Sequence, residues 1–104
     1  MFGRLVEIEG VDPSKREEVI GTLKETIIPA LKEIEGFAGF ISLVDEENRR
    51  ARSIVLWETM EGAEEAERQF AAKREEMVRG MGGTIRSADL YEAPIVKVLT
   101  GVRA

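Results

Sequence analysis

The sequence contains no cysteine and no histidine. The first absence rules out disulfides and thiol nucleophiles, and the two together remove the usual nitrogen and sulfur ligands of zinc. Without histidine there is no imidazole to act as general base, to complete a catalytic triad or to ligate a haem iron. Side-chain amides are confined to Asn48 and Gln69, and there is one Trp and one Tyr. No apolar run approaches the roughly 18 residues of a membrane span. Residues 1–10 lack the basic-then-apolar order of a secretion signal. These absences predict a cytoplasmic protein with no membrane contact, no metal and no cofactor held through Cys or His.

What is present reads as a folded protein. The chain has 104 residues, 43% of them hydrophobic and 34% charged, which predicts a single domain over residues 1–104. The net charge of −5 argues against nucleic acid, whose phosphates favour a basic face.

Along the chain, β-favouring residues predict a first strand over residues 2–9. Asp12 and Pro13 are a helix cap and a first helical residue. Ile20, Leu23, Ile27, Leu31 and Ile34 recur at three- and four-residue spacing, so a helix with one apolar stripe is expected over 13–35. Pro29 lacks an N–H for the carbonyl of Glu25, which predicts a kink near Ile28. Gly36 is suited to stop the helix. Strands are expected over 37–45 and 51–58, joined by the polar tip 46–50. Thr59 caps a second helix over 60–79, with Ala63, Ala66, Phe70 and Met77 facing inward and its charges, Glu67 and Arg74 among them, facing water. Gly80, Gly82 and Gly83 end that helix, a fourth strand covers 84–92, and residues 95–99 form a last apolar run. The order βαββαβ predicts an α+β fold: an antiparallel four-stranded sheet with two helices on one face.

Two helices cover one sheet face, and the other is polar when it meets water. Here both alternating sets are apolar at their centres. On the third strand Val55 and Trp57 oppose Ile54 and Leu56. On the second, Phe37, Ile41 and Leu43 oppose Phe40 and Val44. A second copy of the sheet is the simplest cover for the free face, so a homodimer is expected.

Several segments resemble the antibiotic biosynthesis monooxygenase family of the dimeric α+β barrel superfamily. They are Ile28-Pro29-Ala30-Leu31, Gly36-Phe37-Ala38-Gly39-Phe40, Ile54-Val55-Leu56-Trp57-Glu58 and the acidic helix start from Glu61 to Ala66. The resemblance spans about residues 2–98. It implies a ferredoxin-like subunit, two sheets packed face to face, and a tail over 93–104 that reaches the partner. Some members of that family oxidise aromatic polyketides without metal or flavin; others degrade haem with an Asn on the first strand, a Trp on the third and a His on the second helix. Trp57 matches the Trp, but this chain has no His and no first-strand Asn, which argues against haem degradation.

The resemblance therefore implies a cofactor-independent monooxygenase acting on a small aromatic or hydrophobic substrate, or a non-catalytic binding or sensing module with the same cavity. Candidate catalytic residues are Trp57, which stacks on a substrate or packs the core; Tyr91, which donates to a substrate oxygen or stands at the rim; and Arg86, which holds an anion or pairs with Glu7. Candidate substrate-binding residues are Phe40, Phe70 and Met77, with Met81 beside them, as pocket wall or ordinary core. Glu7 is a central-strand carboxylate, either a base or the partner of Arg86 or Arg52.

Overall fold

A computed structural model describes residues 1–99. The elements are β1 (Phe2–Glu9), a 3-10 turn (Pro13–Lys15), α1 (Arg16–Thr22), a π-helical turn (Leu23–Ile27), α2 (Ile28–Lys32), β2 (Phe37–Asp45), β3 (Arg50–Trp57), α3 (Met60–Gly80) and β4 (Thr84–Glu92). The sheet order is β2-β3-β1-β4 and all three pairings are antiparallel, the ferredoxin-like arrangement expected.

The first helical segment starts where the sequence predicts. Asp12 accepts the Ser14 N–H at 3.0 Å, and Pro13 follows it. At Pro29, where a kink is expected, the helix changes its winding. The turn before Pro29 widens, and the Ile28 N–H donates to the carbonyl of Leu23, five residues back, rather than four. Proline has no donor to offer, so a locally wider helix accommodates the gap and α2 restarts with Pro29 in its first turn. Gly36 stops the segment at φ 95°, as expected of a left-handed glycine.

Strand bulges alter two expected facings. Phe37 pairs with Trp57 and Gly39 with Leu56, so an extra residue sits around Ala38. Strict alternation placed Phe37 with Ile41 and Leu43. The bulge instead turns it to the helix side with Phe40, where its ring meets Trp57 edge-on at 5.7 Å and 76°. In β4 the register shifts between the partners of Glu7 and Ile8, which leaves Arg86 at the irregularity.

The interior under the helices forms two clusters. One gathers Leu31, Ile34, Trp57, Ala63 and Ala66, flanked by Phe2, Phe37, Phe70 and Leu90. The other gathers Val6, Ile8, Val11, Ala51, Val78 and Met81. α3 reaches the first cluster closely because Gly62 has no side chain. A Cβ there would lie 2.6 Å from the Glu35 carbonyl and 3.1 Å from the Trp57 ring. Thr59 caps α3 by accepting the Gly62 N–H at 3.1 Å.

The opposite sheet face carries Leu5, Ile41, Leu43, Ile54, Leu56 and Tyr91, with Leu43 51% and Tyr91 53% exposed. After β4 the chain continues without regular structure. The Ala93 N–H donates to the Met1 carbonyl at 2.8 Å, and residues 95–98 border this same face. Ile95 and Leu99 remain exposed. The expected tail over 93–104 falls partly outside the described residues. Among the described residues, no helix is long and apolar enough to cross a membrane.

Candidate functional site

The two core clusters do not close on each other. Between them, under the first helical segment, lies a cavity of about 130 Å³. Its origin is steric. Among the helix-facing positions of β2 and β3 that border it, Ser42, Ala51 and Ser53 are small, between Val44 on one side and Phe40 and Val55 on the other. The apolar stripe Val19, Ile20, Leu23 and Ile27 spans the space above them and is only half-buried, and α1 and the π-turn bury no residue fully. Val6, Ile8, Val11, Leu31, Val78 and Met81 are buried and form the floor. Phe40, Phe70 and Met77 stand in the wall.

One wall is charged. Arg74 from α3 borders the cavity. Its two terminal nitrogens donate to Glu67 at 3.1 and 2.5 Å, and Arg4 from β1 approaches the same carboxylate at 3.3 Å. Arg4 is itself fixed by donating to the Ala88 carbonyl at 3.1 Å. The Arg74 guanidinium, by hydrogen bonding first and charge second, holds the Glu67 carboxyl below the usual carboxylate range. Nε of Arg74 is buried without a hydrogen-bond partner among the described residues. This corrects the expectation that Glu67 and Arg74 simply face water. They form an Arg–Glu–Arg network between sheet and helix. The sequence held a signal for it: a basic residue, Arg4, at a helix-facing position of a central strand.

The acidic residues that border the cavity, among those described, are both engaged. Glu46 accepts from Arg16 at 2.6 Å. Asp45 accepts from Asn48 and Arg50, which hold its carboxyl down at about 2. No group of three or more acidic side chains is arranged to hold a metal ion, again among the described residues.

The candidates read from the sequence separate into different places. Phe40, Phe70, Met77 and Met81 share the cavity. Trp57 does not border it. Only 1% exposed, Trp57 is packed in the neighbouring cluster. Tyr91 belongs to the opposite sheet face, beside the tail. Arg86 pairs with Glu9 at 3.2 Å at the bulge of β4 and stays exposed. Glu7 lies 3.7 Å from Arg52, on the face away from the helices. Trp57, Tyr91 and Arg86 are thus not brought together. Ser42, Ser53, Arg74, the stripe on the first helical segment and the buried floor are cavity residues that sequence reasoning did not assign to it.

In sequence, no family model and no curated protein matches the chain. In fold, it is similar to several solved structures. A monooxygenase, ActVA-Orf6 of Streptomyces coelicolor, solved in complex with nanaomycin D, superposes with a TM-score of 0.65 at 14% identity, covering 96% of this chain and 92% of that one. SnoaB, a cofactor-independent oxygenase from Streptomyces nogalater, gives 0.65 at 16% identity, covering 91% and 95%. A protein provisionally described as an antibiotic biosynthesis monooxygenase from Bordetella bronchiseptica gives 0.59 at 17% identity, covering 91% and 98%. The resemblance seen in the sequence is borne out as a shared fold over most of the chain.

Proposed function

We propose that this chain is a cytoplasmic homodimer that binds a small aromatic substrate in the cavity between helices and sheet, and oxygenates it without a cofactor. The observation that carries the reading is the apolar cavity dividing the core. An apolar space of about 150 Å³ holds one benzene ring; at about 130 Å³ with an exposed rim, this cavity is of the size for a single ring whose hydroxyl stands toward the rim. Arg74 borders the space as part of the Arg4–Glu67–Arg74 network, two cations sharing one carboxylate, whose net positive charge favours the phenolate over the phenol. The phenolate would give electrons to O₂. One oxygen atom bonds to the ring carbon opposite, and the other leaves as water with the two displaced hydrogens, giving the quinone. The protein contributes position and charge. Two fold neighbours described as oxygenases add support by analogy.

Oxygen uptake over a panel of phenols and anthrones tests this. We expect uptake that falls about tenfold or more in Arg74→Gln, the scale of losing one charge-assisted contact, and that persists in Trp57→Phe. Absence of uptake across the panel ends the enzymatic reading.

A second reading, a binding or sensing module, is favoured by one observation: the carboxylates bordering the cavity are both held in ion pairs, leaving no resting base there. Ligand binding without oxygen uptake would select it.

The dimer reading rests on the exposed apolar face around Ile41 and Leu43 and on the apolar tail beside it. Sedimentation is expected to give twice the 11.6 kDa chain mass, and Leu43→Glu to give the monomer.

A further inference from the structure

Charge is distributed unevenly around the cavity. The chain as a whole has 15 basic and 20 acidic residues. The basic residues Arg16, Arg49, Lys73 and Arg74 and the acidic Glu46 border the cavity; Arg50, Arg52 and Asp45 adjoin it too, but in the strand register they share the face of Glu7 and Leu43, away from the helices. An acidic protein has thus placed a basic border around an apolar space. The arrangement is also layered. Every fully buried residue of the wall is apolar, whereas Arg16, Arg49 and Lys73 are exposed and stand at the rim.

Most of these cations are already compensated. Arg16 pairs with Glu46, Arg50 with Asp45, Arg52 with Glu7 and Arg74 with Glu67. Arg49 and Lys73 make no ion pair among the described residues. Asp12 is near enough to feel the charge of Arg49, but its carboxylate takes the N–H and hydroxyl of Ser14. Lys73 lies 5.9 Å from the centre of the Phe70 ring, itself part of the wall. Arg49 is held firmly from behind. Its carbonyl accepts the N–H groups of Gly10 and Val11 at 2.9 and 3.2 Å, and its φ is 51°. The backbone that presents this guanidinium is therefore tied to the loop after β1.

Resting on the cavity reading above, we infer that the ligand is an amphipathic anion: an aromatic acid whose ring occupies the apolar floor and whose carboxylate meets Arg49 and Lys73 at the rim. A ring alone would need no basic border. A carboxylate there gains charge-assisted hydrogen bonds without leaving water entirely, which avoids the cost of burying an ion.

Titration calorimetry with 4-ethylbenzoate and with 4-ethylbenzyl alcohol, which share a ring and an alkyl group, tests the inference. The benzoate is expected to bind about tenfold more tightly at low salt, the scale of one charge-assisted contact, with the preference shrinking as salt is added. The variant Arg49→Asn keeps a residue tolerant of positive φ. Combined with Lys73→Gln, it is expected to abolish the preference and leave the alcohol's affinity unchanged. Equal binding of the two ligands, or a preference that survives both substitutions, overturns the inference while the cavity reading stands. Failure of both ligands to bind overturns the two together.

Discussion

Trp57 and the cavity lie under the same face of one sheet, as neighbours along β3, and they represent opposite solutions to filling it. At the Trp57 end, the largest side chain of the protein is met by Gly62, Ala63 and Ala66, whose small size lets α3 come close. At the other end, small residues on the strands, Ser42, Ala51 and Ser53, are met by a helical segment that stays away. Small side chains thus have opposite effects in the two places. On the helix beside a Trp they allow contact; on the strand beneath Leu23 and Ile27 they leave a space. What decides is whether a large partner occupies the gap.

The sharpest way to break this contrast is Trp57→Ala. It would open a second space in the packed half, at a cost of about 3–5 kcal/mol, a large share of the stability of a small domain. Urea unfolding should show a midpoint far below the parent. Gly62→Ala acts on the same half from the helix side. Its Cβ would meet the Glu35 carbonyl at 2.6 Å, so destabilisation of about 1–3 kcal/mol is expected from overpacking.

Ser53→Leu tests the hollow half in reverse. Added volume should enter existing space, so the unfolding midpoint should move by no more than about 1 kcal/mol, while ring-sized ligands lose their site. A loss as large as that of Gly62→Ala would mean that the space is not available.

The smallest effect lies at the cavity border. Asn48 and Arg50 lower the Asp45 carboxyl from 3.8 to about 2. A depressed carboxylate stabilises the fold above its unfolded value and ceases to do so as pH falls through the folded one. The melting temperatures of the parent and Asp45→Asn should therefore differ at neutral pH, converge below pH 3.8 and meet near pH 2. A difference that is constant with pH would show that the carboxylate's charge is not what matters.

Much of this architecture is legible in the sequence. The bounds of β2 and β4 follow from apolar runs closed by glycine or polar tips, and the disturbance at Pro29 follows from its missing donor. The facing of Phe37 is not legible, because a single extra residue near Ala38 breaks the alternation on which such readings depend. The Arg4–Glu67–Arg74 network is hidden for a related reason. On a charged helix, periodicity marks which residues are polar, not which polar ones find a partner across the sheet. The separation of Trp57 from the cavity was likewise out of reach, since it depends on side-chain volumes meeting in space.

The π-turn at Leu23–Ile27 gives the first helical segment one residue more than its span requires. Each residue of an α-helix advances the direction of its side chain by about 100°. Deleting one exposed residue such as Thr26 would allow the segment to tighten into a continuous α-helix with Leu31 and Ile34 still directed at Trp57. Inserting one elsewhere in the segment would turn them away. The wide turn thus works as slack in a phase: it lets the stripe over the hollow and the stripe over the packed half be set independently, although a single helix carries both.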